Sequence, residues 1–140
     1  KGTQTGARFE KRCYDLLKTH GCSYENRRVY HTVRQWYEPD AITDKHVFEF
    51  KYQQVGGSVI KKLTQALFEL DWLANKLNKI PVLVYEGDRL TSFVKNDPAF
   101  LKALTFLPHI QVLNFEAFND LISTSVDINN REQNRLLEYA

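Results

Sequence analysis

Hydrophobic positions near the start of the chain recur with a helical period. We predict a helix from Gly6 to His20, because its apolar residues lie three or four positions apart and Gly21 is a natural stop. Glu10 lies one position after the apolar Phe9. The apolar face consists of Phe9, Cys13, Leu16 and Leu17.

Three segments rich in β-favouring residues follow this helix. Ser23–Val33 is predicted to be the first strand of the sheet, and Trp36–Ile42 a second strand that is broken near Pro39. Thr43–Lys45 is a candidate tight turn, and His46–Gln53 is predicted to be the third strand. The first part of the chain therefore predicts one helix and three consecutive strands.

The rest of the chain is predicted to alternate between helices and strands. Ser58 can cap a helix that runs to about Asn78, and Phe68 and Trp72 widen its apolar stripe. Lys79–Tyr85 is continuously apolar, which is typical of a strand buried on both faces in parallel or mixed pairing. Further elements are predicted as a helix at Asp97–Phe106, a strand at Ile110–Asn114 and helices at Glu116–Ile122 and Arg131–Tyr139. The order over residues 5–90 is thus α-β-β-β-α-β.

The composition indicates a single domain over residues 1–140. The chain is 43% hydrophobic and 13% aromatic, which argues against disorder, and its longest apolar runs are too short to span a bilayer. No signal-peptide pattern opens the sequence, and Cys13 and Cys22 lack metal-ligand spacing. We therefore expect reduced thiols and a cytoplasmic protein. The formal net charge of +2 says little about partners, but basic residues gather in the first half.

The most informative segment is the one from Glu38 to Lys51. In a strand, side chains alternate between faces, so Glu49 and Lys51 project to the same side. If Asp40 lies on the adjacent antiparallel strand, two carboxylates converge beside one lysine. Such a group suits a hard divalent cation and an attacking water. The alternative is an ordinary surface ion pair, with Asp40 as a turn residue.

These residues carry a resemblance to a known family. Pro39-Asp40, eight intervening residues and then Glu49-Phe50-Lys51 resemble the PD-(D/E)xK signature of the restriction-endonuclease-like nuclease superfamily. The predicted element order is also that of the family's common core. The resemblance implies an α/β (α+β) fold with a restriction-endonuclease-like αβββαβ core, in which helices flank a mixed central sheet. This core would span about residues 5–90, and residues 91–140 would form a C-terminal extension.

The resemblance also implies roles for individual residues. Asp40, Glu49 and the backbone carbonyl of Phe50 would bind Mg²⁺, with Mn²⁺ as a possible substitute. Lys51 would hold or deprotonate the attacking water, and we expect a nearby cation and partial burial to lower its pKa. Glu10 and Gln53 are further candidate catalytic residues, the first from the opening helix and the second from the face of Glu49. A glutamate on a first helix is otherwise simply solvated.

The candidate DNA contacts precede and follow this motif. An aromatic and basic β-ribbon before the motif could enter a major groove, and lysines at the start of the long helix could bind a phosphate. The alternative is a solvated basic hairpin. The candidate DNA-binding residues are Arg27, Arg28, His31, Arg34, Gln35, Lys61 and Lys62.

The resemblance therefore implies a Mg²⁺-dependent, site-specific endonuclease for double-stranded DNA, of the restriction or homing type. A Holliday-junction resolvase and a non-catalytic DNA-binding module with this fold remain alternatives. Because cutting two strands needs two sites or two binding events, we expect a homo-oligomer, either a dimer or a tetramer. Phe68, Trp72 and the C-terminal Leu136, Leu137 and Tyr139 offer interface surface, unless they pack inside the monomer.

Overall fold

The computed structural model describes residues 5–26, 30–31, 36–56 and 59–125, and it describes only the backbone of residues 30, 31, 59 and 61. Within these ranges the protein is a mixed α/β structure with five helices and six strands, four of which form one mixed sheet. The predicted terminal helix Arg131–Tyr139 lies outside the described residues. None of the helices in the described part of the chain is long and apolar enough to cross a membrane.

Most elements agree with the predicted ones to within a few residues, but the helix α3 was not predicted. The helices are α1 (Gly6–Thr19), α2 (Val59–Leu77), α3 (Asp88–Asn96), α4 (Pro98–Thr105) and α5 (residues 115–125). The strands are β1 (Tyr30–His31), β2 (Trp36–Tyr37), β3 (Ala41–Ile42), β4 (His46–Tyr52), β5 (Ile80–Glu86) and β6 (Gln111–Asn114).

The first helix begins and ends where its sequence predicts. The Thr5 hydroxyl caps the first turn by accepting a hydrogen bond from the Arg8 N–H at 3.1 Å. After the last turn, Gly21 adopts a φ of 67°, a left-handed conformation that favours glycine. The apolar face packs against the sheet, as its spacing predicts. Its fully buried residues are Phe9, Cys13 and Leu17.

The main sheet has the strand order β3-β4-β5-β6. β3 and β4 are antiparallel and joined by the predicted turn, whereas β4, β5 and β6 are parallel. This parallel pairing confirms the interpretation of the apolar run in β5. Ala41 lies opposite Phe48, so the residue before β3 comes next to the middle of β4.

The prediction that Ser23–Val33 forms the first strand of this sheet is wrong. Within the described residues, Glu25 forms an isolated antiparallel bridge with Ile42, and β1 pairs with β2 in a separate two-stranded ribbon. β-propensity alone does not determine which strands pair, because pairing depends on tertiary neighbours.

The predicted break at Pro39 is confirmed. The chain leaves the ribbon after Tyr37 and enters the main sheet at Ala41, so the segment Trp36–Ile42 belongs to two sheets. Asp40 therefore lies at the junction between the ribbon and the main sheet.

Helices cover both faces of the main sheet and bury two apolar cores. α1 and α5 pack on the face that Phe48 and Phe50 present. α2, α3 and α4 pack on the face that Val47 presents. Because side chains alternate along β4, Glu49 and Lys51 lie on the face of Val47. The predicted charged pair is thus on the α2 side of the sheet, toward the carboxyl end of β4.

Gly87 joins β5 to α3 where the chain comes close to the end of β4. A Cβ atom at Gly87 would lie 2.3 Å from the Gln53 carbonyl oxygen, and its φ of 107° and ψ of 144° are adopted readily only by glycine. The Gln53 N–H donates to the Glu86 carbonyl at 3.1 Å, and the Gln53 carbonyl accepts from the Leu90 N–H at 3.3 Å. These contacts fix the backbone of Gln53.

Gly87→Ala is expected to lower the free energy of unfolding by about 2–4 kcal/mol, because the methyl group collides with Gln53 and the backbone becomes strained. Gly56→Ala is the matched control. Among the described residues, nothing lies within 4 Å of a Cβ atom there, and its φ lies outside the left-handed region, so we expect a change within about 0.5 kcal/mol. Urea unfolding measures both variants, and equal stabilities would contradict the close approach at Gly87.

Candidate active site

Asp40 is fixed against β4 by two hydrogen bonds, one from its backbone and one to its side chain. Its backbone N–H donates to the Phe48 carbonyl at 3.1 Å, and its side-chain Oδ2 accepts from the Phe50 N–H at 2.7 Å. The predicted convergence follows from this register, because the acid before β3 lies beside the residues that follow Phe48 on β4. Asp40 is thus held by the strand that carries Glu49 and Lys51.

Glu49 is a buried carboxylate with a partner on each oxygen. Its side chain accepts a hydrogen bond on Oε1 from the Tyr37 hydroxyl at 2.9 Å, and the Lys51 Nζ lies 3.4 Å from Oε2. Glu49 is only 4% exposed, so the pair with Lys51 is not an ordinary surface ion pair. Buried charges of this kind need partners, and both oxygens have one.

The backbone carbonyl of Phe50 points toward the same place as the Asp40 carboxyl. In an extended strand, the N–H and C=O of one residue point to the same side. The Phe50 N–H is directed at Asp40, so the Phe50 C=O is directed to that edge of β4 as well. Beyond β3, this edge has no partner strand among the described residues. The structure is therefore compatible with the predicted role of Phe50 as a backbone ligand.

The two carboxyl groups have raised pKa values. Burial and the nearby charge of Glu49 raise the pKa of Asp40 to about 7, although the Phe50 N–H and Lys51 oppose the rise. Burial also raises the pKa of Glu49, against the opposing effects of Lys51 and Tyr37. Two neighbouring carboxylates repel each other when both are ionised, and a bound cation would reduce this electrostatic repulsion.

Lys51 keeps its proton in the metal-free protein. Burial alone would lower its pKa, but the carboxylates of Glu49 and Asp40 outweigh burial and raise it. The pKa is raised because more than one acid surrounds a single ammonium group. The predicted lowering assumed a nearby cation as well as burial, so it stays a prediction for the metal-bound protein. In the metal-free protein, the raised pKa favours a role in charge stabilisation over a role as a proton acceptor.

Glu10 approaches the site from α1. Burial and the charge of Asp40 raise its pKa, and Lys51 lowers it, so Glu10 is within electrostatic reach of both residues. It lines an open cleft of about 330 Å³ together with Asp40, Tyr14, Asn26, Glu38 and Pro39. A larger cavity of about 720 Å³ lies at the opposite end of the sheet and contains no residue of the acid–lysine group.

Gln53 has a buried side-chain amide next to this group. It lies directly after β4, where the alternation of the strand continues the face of Lys51, and only 7% of the residue is exposed. Within the part of the chain that the structure describes, neither its Oε1 nor its Nε2 atom has a hydrogen-bond partner. Leaving a buried polar group unpaired costs about 1–3 kcal/mol, so such a group marks a place where a polar ligand or water would be held. This supports Gln53 as a candidate site residue.

The residues present suit a magnesium ion, but through few protein ligands. Among the described residues, no group of three His, Cys, Asp or Glu side chains is placed to hold a metal ion. Asp40, Glu49 and the Phe50 carbonyl would instead offer two carboxylates and one backbone oxygen. Mg²⁺ commonly binds one or two carboxylates and keeps several waters, whereas an all-protein cage is unusual for it.

Most of the candidate DNA contacts lie outside what the structure describes. This applies to Arg27, Arg28, Arg34 and Gln35, and to the side chains of His31 and Lys61. Lys62 is exposed on the first turns of α2. The predicted ribbon is present in its described part, where the backbone of His31 pairs with Trp36, and Trp36 is 61% exposed.

Two tyrosines at the site were not predicted. Tyr37 donates to Glu49, and the Tyr14 hydroxyl donates to the backbone carbonyl of Asp40 at 2.5 Å. The tyrosine hydroxyl itself could have indicated such a contact, since a buried tyrosine usually finds a partner for its hydroxyl. Tyr37 lies three positions before Asp40, but nothing in the pattern of β2 relates it to Glu49.

The surface predicted for an oligomer is accessible on α2. Phe68 is 46% exposed and Trp72 is 38% exposed, and the Lys76 ammonium lies 5.1 Å from the centre of the Trp72 ring. These two aromatic residues therefore do not pack inside the described part of the monomer. The C-terminal Leu136, Leu137 and Tyr139 lie outside the described residues, and assembly stays a prediction.

Comparison with known proteins adds no relative. No family model matches the chain, no curated protein matches it, and no solved structure matches it.

Proposed function

We propose that this protein is a Mg²⁺-dependent endonuclease that hydrolyses phosphodiester bonds in double-stranded DNA, of the restriction or homing type. The observation that carries the proposal is the arrangement of Asp40, Glu49 and Lys51. Two partly or fully buried carboxyls with raised pKa values lie beside one lysine on a rigid strand. Raised pKa values at a cluster of acids are typical of functional sites.

The protein residues would divide the work as follows. Asp40 and Glu49, with the Phe50 carbonyl, would hold the cation, and Tyr37 and the Phe50 N–H keep these carboxyls in place. When bound, Mg²⁺ supplies an activated water and stabilises charge on the phosphate. Lys51 would offset the negative charge that grows on the scissile phosphate.

DNA is the proposed substrate because the two-stranded ribbon leads directly into the segment that carries Asp40. β2 ends three residues before Asp40, and the exposed Trp36 lies on it. A two-stranded ribbon can enter the major groove, where arginine and glutamine side chains read base edges. The resemblance to the PD-(D/E)xK superfamily supports the same substrate class. Cutting both strands would use two copies of the chain, for which the exposed Phe68 and Trp72 are candidate contact residues.

Three DNA substrates distinguish this proposal from its alternatives. Supercoiled plasmid, a long mixed genomic DNA and a synthetic four-way junction are incubated with Mg²⁺ or with EDTA. Discrete fragments that require Mg²⁺ support a site-specific endonuclease. Cutting of the junction alone indicates a resolvase, and binding without cutting of any substrate indicates a non-catalytic module.

Ca²⁺ is expected to support DNA binding without turnover. It satisfies carboxylates but prefers looser and higher coordination than Mg²⁺, so the attacking water is not held in the same geometry. Gel-shift experiments with Ca²⁺ and with EDTA measure this difference, and Glu49→Gln serves as the comparison variant. DNA binding that is independent of metal, and unchanged in the variant, would argue against a metal-mediated contact with the phosphate.

A further inference from the structure

Tyr37 connects the ribbon to the acid–lysine group through one hydroxyl. Its ring is buried in the core under α2, with only 7% of the residue exposed. Its hydroxyl donates to the Glu49 Oε1 at 2.9 Å. This hydrogen bond joins a side chain of the ribbon to the charged group. Tyr37 is not part of the sequence motif.

The hydroxyl of Tyr37 determines which oxygen of Glu49 is free to act. The terminal torsion of a glutamate side chain has a broad energy minimum, so the carboxyl rotates unless partners fix it. Tyr37 occupies Oε1, whereas Oε2 lies 3.4 Å from the Lys51 Nζ. Because a phenol hydroxyl donates one proton, it holds one of the two equivalent oxygens, fixes the plane of the carboxyl and leaves the other oxygen on the side of Lys51.

We propose that Tyr37 is a positioning residue that holds Oε1 of Glu49 and so keeps Oε2 directed toward Lys51 and a bound divalent cation. This inference rests on the proposed metal-dependent function. Tyr37 itself would touch neither the cation nor the DNA. Residues that hydrogen-bond to a metal ligand without contacting the metal typically contribute a factor of about 10–100 to metal affinity.

The test compares Tyr37→Phe with Tyr52→Phe. Both variants lose one hydroxyl and keep the ring, but Tyr52 lies on the opposite face of β4, beside Phe9. Mn²⁺ binding to the free protein is measured by calorimetry, and plasmid cleavage is measured as a function of Mg²⁺ concentration. We expect Tyr37→Phe to weaken Mn²⁺ binding and raise the half-saturating Mg²⁺ concentration by about 10-fold or more. Its rate at saturating Mg²⁺ should stay within about 3-fold of wild type, whereas Tyr52→Phe should match wild type throughout.

The outcomes separate this inference from the proposed function. If the wild-type protein binds no Mn²⁺ and cuts no DNA, the proposed function fails, and the role of Tyr37 fails with it. If the wild-type protein binds and cuts while Tyr37→Phe has the same metal dependence, only the positioning role is overturned. A uniform loss of rate at every Mg²⁺ concentration, with unchanged Mn²⁺ affinity, would also overturn it.

A second measurement uses the unaltered protein, so it does not depend on how the variant folds. With ¹³Cζ-labelled tyrosine, the resonance of Tyr37 is expected to shift when Mg²⁺ is added, because the electron density on its Glu49 acceptor changes. The resonance of Tyr52 should stay in place. A Tyr37 resonance that does not respond to saturating Mg²⁺ would count against the proposal.

Discussion

Lys51→Ala is expected to reduce DNA cleavage by about 10²–10³-fold while leaving DNA binding largely intact. Lys51 is the ammonium group beside Glu49, and in the metal-free protein the neighbouring carboxylates raise its pKa. A charge that offsets negative charge growing on the phosphate acts mainly in the transition state, so its loss lowers kcat more than binding. Single-turnover cleavage together with gel-shift titration separates these two effects.

Two further variants identify what Lys51 does. Lys51→Arg keeps the positive charge but cannot lose a proton at any working pH. If charge stabilisation dominates, this variant should cut faster than Lys51→Ala; if Lys51 is a general base, both should be equally inactive. Lys95→Ala, which removes an exposed lysine on α3, is the matched control and should cut at the wild-type rate. Near wild-type cleavage by Lys51→Ala would exclude this site.

Asp40→Asn is expected to abolish cleavage and yet stabilise the metal-free protein above about pH 7. The pKa of Asp40 is raised in the folded protein from 3.8 to about 7, mainly by burial and by Glu49. The folded protein therefore binds more protons than the unfolded chain between these values, and its stability falls as the pH rises through this window. Asparagine removes this cost and can still accept the hydrogen bond from the Phe50 N–H.

The size and pH dependence of this gain are both measurable. A rise of the pKa from 3.8 to about 7 corresponds to at most about 4 kcal/mol, and part of it is shared with Glu49. We expect a gain of about 1–2 kcal/mol, or roughly 3–6 °C in melting temperature.

Thermal unfolding in EDTA should show this gain at pH 8 and lose it near pH 4. Asp120→Asn, at an exposed acid on α5, is the control and should have little effect. A destabilised Asp40→Asn variant at pH 8 would contradict the strained carboxyl pair.

The sequence was sufficient to predict elements whose period and end signals are both strong. α1 has a regular apolar face and a glycine stop, and α4 has Asp97 as its cap, which accepts from the Phe100 N–H at 3.0 Å. α3 was missed because it is short and buries only Leu90 and Val94, too few positions to establish a helical period. Ser23–Val33 was misread because strand pairing is decided by tertiary contacts.

The candidate site was predictable where its geometry follows from local rules. Side-chain alternation determines that Glu49 and Lys51 share a face, and the short turn after β3 brings Asp40 beside them. The hydrogen bond from Tyr37 crosses between two sheets, and no local spacing encodes such a contact. The raised pKa of Lys51 in the metal-free protein was likewise not predictable, since it depends on how many acids surround the lysine in space.

The carboxyl of Asp40 has a second consequence, for association between copies of the chain. Within the described residues, β3 pairs with β4 through Ala41 and Ile42 alone, so the edge of β4 would expose its next N–H at Phe50. The Asp40 side chain accepts the hydrogen bond from this N–H, in place of the backbone carbonyl of a neighbouring strand. An exposed strand edge invites pairing with another strand, and an inward-pointing charge discourages it. We therefore expect the acid proposed to bind the cation also to discourage edge-to-edge pairing at β4, and any substitute at position 40 must keep a hydrogen-bond acceptor to retain this effect.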